Sequence, residues 1–127
     1  MRGELIDGVH KRLRQVDTLL DVRLLSADTF GTAAAIASEL GIDSTVVADG
    51  EAKRDVITSL DGSRCVAIGN GANDAPMLRE AALAIAVIGG EGAAGETIAA
   101  ADLVVYSVTD ALDLLLEPRS LVASLRL

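Results

Sequence analysis

The sequence predicts an α/β protein with three layers, αβα, around a mostly parallel sheet. Short apolar runs alternate with helix-patterned segments along the chain. Those runs are continuous rather than alternating, as strands covered on both faces require. Half of the 127 residues are hydrophobic and only 2% are aromatic, so Ala, Val, Leu and Ile must fill the core. The length is that of one ordinary domain. No linker, repeat or low-complexity segment divides it, so residues 1–127 are expected to form a single domain.

The elements follow in order. Ile6, Val9, Leu13, Val16 and Leu20 recur at helical spacing and predict a first helix. "VRLLS" (22–26) is a short strand, and "TAAAIASELG" (32–41) a helix closed by Gly41. "STVVA" (44–48) is a second strand, followed by a helix over 51–60 with Val56, Ile57 and Leu60 inward. "RCVAIG" (64–69) is a third strand, with a helix over 75–82 after it. "LAIAVIG" (83–89) and "LVVYS" (103–107) are strands on either side of a short helix over 94–101. A helix over 109–118 ends at Pro118, and a short tail helix follows.

Composition excludes several classes. The net charge of −8 argues against a nucleic-acid partner, which needs Lys and Arg in excess. No apolar run reaches the ~18 residues of a membrane span. No signal peptide is visible, so the cytoplasm is the expected location. Cys65 is the lone cysteine, which rules out an internal disulfide and points to an inert core position. His10 is the lone histidine and lies on the first helix, so neither a Ser-His-Asp nor a zinc constellation can be assembled.

In parallel sheets the working residues gather at the carboxyl ends of strands. Four loops therefore matter. In "SADTFG" (26–31), Ser26 offers a hydroxyl beside Ala27 and further backbone N–H groups, an arrangement that suits a phosphate oxygen. The alternative is a serine satisfying a local turn. Loop 48–53 delivers Lys53 to a helix start, where it opposes the helix dipole. It is either a phosphate-neutralising lysine or a solvated one. "GNGAND" (69–74) combines flexible glycines with Asp74, Asn70 and Asn73, hard oxygen donors of the kind Mg²⁺ accepts. Helix capping by Asn73 or Asp74 is the competing reading. "GEGAAG" (90–95) fits a dinucleotide fingerprint, but Glu91 puts a negative charge in the pyrophosphate loop and no acidic residue closes the next strand.

Taken in order, these loops resemble the haloacid dehalogenase-like (HAD) superfamily, and within it the phosphorylation domain of P-type ATPases. "GNGANDAPML" (69–78) is similar to the signature G-D-G-x-N-D-A-P-x-L. "LLSADTFGTAAAIASELGI" (24–42) is similar to L-T-G-D-x-x-x-T-A-x-x-I-A-x-x-L-G-I, and Lys53 falls where the family keeps a lysine. The resemblance implies a Rossmann-like HAD fold without a cap, and a Mg²⁺-dependent phosphohydrolase acting on a phosphorylated small molecule or a phosphoprotein. It implies that Ser26, with Ala27 and Asn73, binds the phosphoryl group. Lys53 would neutralise that group and the nucleophile. Asp74 and Asn70 would hold Mg²⁺.

Two departures stand out. Asn70 is neutral where transporting ATPases carry Asp. The family's nucleophile, the first Asp of D-x-[DNS]-G-T, ends a first strand, whereas this sequence opens on "MRGELIDGV", already helix-patterned. Asp7 lacks both the preceding strand and the Gly-Thr pair. In the family that strand is central, between those at 22–26 and 64–69. These two must then pair directly or leave a gap, which dimerisation could also close. The sequence as given is expected to have little phosphatase activity, and the alternative function is a non-catalytic phosphate-binding or regulatory domain. Lys53→Ala or Asp74→Ala is expected to remove phosphate or Mg²⁺ affinity without unfolding the protein.

Overall fold

A computed structural model describes residues 2–26, 31–69, 71–88 and 94–117. The elements are α1 (Arg2–Asp17), β1 (Arg23–Ser26), α2 (Thr32–Leu40), β2 (Asp43–Val46), α3 (Gly50–Ser59), β3 (Val66–Gly69), α4 (Ala75–Glu80), β4 (Leu83–Val87), α5 (Gly95–Ala100), β5 (Leu103–Val105) and α6 (Val108–Leu116). Short 3₁₀ turns at Gly62–Arg64 and Ala72–Asp74 precede β3 and α4. The alternation expected from the sequence is present, with each strand one or two residues shorter at an end and β2 starting one residue earlier than expected, at Asp43. Gly41 closes α2 at φ 73°, a left-handed position that favours glycine. The expected tail helix, and residues 90–93 of the 90–95 motif, lie outside the described residues.

All strand pairs are parallel, β1 with β2 and β3–β4–β5 in sequence order. Ser26 stands level with Val46, and Gly69 with Ala86. Among the described residues no ladder joins β1 to β3, so of the two alternatives above direct pairing is not adopted. The two sheets are linked by side chains instead. Leu25 packs against a cluster of Ile57, Ala67, Met77, Leu78 and Ala84. Val22 and Ile68 join a second cluster built on Leu13, Val16, Leu40 and Leu112, through which α1 meets α2 and α6. β4 carries the deepest positions, with Ile85 and Ala86 fully buried.

Two details depart from expectation. Leu60 is exposed just past the end of α3 at Ser59, although Ile57 in the same last turn is buried in the core. Leu20 is exposed past the end of α1. Cys65, as expected, packs against the first core cluster; it is half-buried before β3, with its Sγ donating to the Asp61 carbonyl at 3.3 Å. Among the described residues no helix is long and apolar enough to cross a membrane.

Candidate functional site

The site grows from two loops pressed together at the carboxyl ends of β2 and β3. After β2 the chain turns into α3, whose start is fixed by Asp49. The Asp49 carboxylate accepts the Ala52 N–H at 2.9 Å, an N-cap that satisfies one of the open donors of the first turn. Lys53 is then the fourth residue of α3 and points inward. After β3 the chain makes the 3₁₀ turn 72–74 and enters α4, with Pro76 in its first turn, where a missing N–H costs nothing.

Glycines set how closely these loops approach. A Cβ on Gly50 would collide with the Asn73 carbonyl oxygen, so α3 begins directly against the backbone of the second loop. A Cβ on Gly69 would stand 2.7 Å from the Asp74 side chain. Gly50→Ala should therefore force the loops apart and destabilise the protein by about 1–3 kcal/mol, the usual range for overpacking. Gly95→Ala is the control, since nothing lies within 4 Å of its added Cβ. Urea unfolding of the two variants measures the difference.

Lys53 and Asp74 meet at the junction. Lys53 Nζ donates to Asp74 Oδ1 at 2.8 Å, and both residues are buried, at 8% and 7% exposure. The Gly71 N–H donates to Asp74 Oδ2 at 3.0 Å. The Gly71 carbonyl in turn accepts the Asp74 N–H at 3.0 Å and the Thr97 hydroxyl at 2.6 Å. Asp74 occupies the N-cap position of α4, yet its side chain makes no capping bond. Its carboxylate is turned to Lys53 and Gly71 instead, which removes capping as the explanation of that residue. The solvated-lysine reading of Lys53 fails on burial. A buried ion pair is weak evidence for stability, because desolvation offsets much of the attraction. A buried pair at strand ends is the kind of feature that marks a functional site.

The other expected residues fall as follows. Ser26 is half-buried at the carboxyl end of β1, and its carbonyl accepts the Val47 N–H at 2.8 Å. Asn73 is exposed at the loop tip, with its carbonyl against Gly50. Ala27 and Asn70 lie outside the described residues. Sequence reasoning missed Gly50, Asp49 and Thr97. Asp49 had a legible signal, an Asx residue just ahead of a helix with an acidic first turn. Thr97 had none, since a threonine in an Ala-rich helix announces no partner.

Mg²⁺ usually takes one or two carboxylates and keeps several waters. Asp74 supplies one buried carboxylate in a loop of oxygen donors, which fits that manner of binding. Among the described residues no group of three His, Cys, Asp or Glu side chains converges, so a cage made wholly of such residues is not built here.

Parallel strands, loops gathered at their carboxyl ends and a buried lysine–aspartate pair make up the candidate site of an α/β fold. The haloacid dehalogenase-like hydrolase family matches residues 2–82, and the chain belongs to that family. An uncharacterized protein of Methanocaldococcus jannaschii is 51% identical over 63 residues, covering 50% of this chain and 68% of that protein. A copper-exporting P-type ATPase of Staphylococcus aureus (strain MRSA252) is 39% identical over 112 residues, covering 85% of this chain but only 13% of the transporter. The solved 3-deoxy-D-manno-octulosonate 8-phosphate phosphatase of Moraxella catarrhalis, with magnesium, phosphate and KDO bound, superposes with a TM-score of 0.71. It is 19% identical, and the match covers 95% of this chain and 75% of that one, a likeness of fold.

Proposed function

We propose that the Lys53–Asp74 junction is the phosphoryl-binding and Mg²⁺-binding half of a HAD-type phosphohydrolase site. The observation that carries this is the buried 2.8 Å pair between two strand-end loops, with the Gly71 N–H on the second carboxylate oxygen. The phosphatase and P-type ATPase relatives support it. Lys53 holds positive charge where phosphoryl oxygens would sit, and its ammonium strengthens as water is excluded. Asp74, with Asn70, would hold the metal. When bound, Mg²⁺ supplies neutralisation of charge developing on the phosphoryl oxygens. Ser26 and the adjoining Ala27 N–H would bind a phosphoryl oxygen from the β1 side, and Asn73 would support the loop.

The nucleophile in this reading is an aspartate ending a strand between β1 and β3. Its carboxylate attacks phosphorus, the ester oxygen leaves with the bonding pair and takes a proton, and water then hydrolyses the acyl phosphate. The substrate is a phosphorylated small molecule or a phosphoprotein, and the cytoplasm is the proposed setting. The second reading is a non-catalytic phosphate-binding or regulatory domain, in which the same buried Lys53–Asp74 pair would serve binding alone.

Titrating the protein with orthophosphate and Mg²⁺, while following backbone amides by NMR, tests the assignment. Saturable shifts centred on residues 26–27, 49–53 and 69–75 are expected. Shifts centred on the acidic face at Asp110, Asp113 and Glu117, or none at all, would refute it.

A further inference from the structure

Thr97 is fully buried, one of only three large side chains in the described residues that are essentially sealed from solvent. It sits on α5, an element the mechanism above does not use. Its hydroxyl donates across to the Gly71 carbonyl at 2.6 Å, a short bond spanning 26 residues of sequence. A buried hydroxyl needs a partner, and any nearby carbonyl would serve. The one it takes belongs to Gly71, whose carbonyl and N–H, on two successive peptide units, both shape the site. The Gly71 carbonyl accepts the Asp74 N–H, and the Gly71 N–H donates to Asp74 Oδ2. Asp74 Oδ1 then accepts from Lys53. A continuous path of hydrogen bonds runs Thr97, Gly71, Asp74, Lys53.

The path has directional content. Gly71 lacks a side chain, so little about the residue itself fixes its φ and ψ and hence the two peptide planes that meet at its Cα. Thr97 is β-branched, with restricted χ1, and is buried, so its hydroxyl is a rigid donor. Anchoring the Gly71 residue on α5 keeps its N–H aimed at the carboxylate.

We propose that Thr97 is a positioning residue of the site, holding the Gly71 residue so that the Asp74 carboxylate is fixed in the orientation used for metal binding. The metal part of this proposal rests on the function proposed above. The anchoring part does not.

The test compares Thr97→Val, which keeps the shape and deletes the hydroxyl, with Thr97→Ser, which keeps the hydroxyl. Amide exchange of Gly71 is read beside that of Ile85 in the core, and Mg²⁺ affinity is read by amide shifts. In Thr97→Val the Gly71 amide should exchange about tenfold faster while Ile85 holds its protection. Mg²⁺ affinity should fall about tenfold, the lower end for loss of a group that orients a ligand. Thr97→Ser should restore both. Unchanged Gly71 exchange, or a rise matched at Ile85, would overturn the positioning role. If the parent protein shows no Mg²⁺ response, the metal reading fails, and the exchange comparison still decides whether Thr97 anchors Gly71.

Discussion

Lys53→Met and Asp74→Asn should each destabilise the protein by about 3–5 kcal/mol, because either change leaves or weakens one member of a buried ion pair. That is a large share of the ~5–15 kcal/mol by which such domains are stable. The sequence led to the expectation that either residue could be replaced by Ala with loss of phosphate or Mg²⁺ affinity and without unfolding. Burial at 8% and 7% is the physical reason to expect a cost in stability as well. The double variant should cost less than the sum of the two, since no uncompensated charge remains. Urea unfolding of the four proteins measures this, with midpoints compared at unchanged slope. Additive costs, or single variants as stable as the parent, would mean that the pair is solvated in solution.

Much of the fold was legible because its signals are local. Gly41 announced a left-handed helix end, and φ 73° is what a glycine there adopts. The apolar runs announced strands, and β4 reads as five buried or half-buried residues. Lys53 and Asp74 were legible as candidates through the spacing of their loops. Their contact was not, because it spans 21 residues and depends on Gly50 letting one backbone approach another. Thr97 was invisible for the same reason, as its partner is a backbone carbonyl with no residue-type signature. Leu60 misled because helical spacing places it on the inward face, while the helix stops one residue earlier. The arrangement of β1 and β3 could be narrowed to alternatives but not chosen. Parallel neighbours are set by long-range packing, and here side chains from both strands share clusters without a ladder between them.

That junction leads to the second large effect. Leu25 and Ala67 share one cluster, Val22 and Ile68 another, and the strand-end residues Ser26 and Gly69 flank the same end of both sheets. β1 and β3 each have a partner on one side only among the described residues, so a parallel strand supplied between them is expected to pair with both. Its last residue would emerge beside the loops that carry Ser26, Lys53 and Asp74. A carboxylate there would face a buried ammonium, the setting that activates an anionic nucleophile and neutralises its target. Removing a nucleophile from a site of this kind commonly costs at least about a thousandfold in rate. The most direct test of the account is the hydrolysis of a generic phosphate monoester, with and without Mg²⁺. It compares the 127-residue chain with the same chain joined behind a strand ending in D-x-N-G-T. Little turnover is expected from the chain alone, and at least about a thousandfold more from the strand-joined form. That gain should need Mg²⁺ and vanish when the strand's aspartate is replaced by asparagine. A folded strand-joined protein that hydrolyses no faster than its asparagine counterpart would contradict the account and leave the junction as a binding site without catalysis.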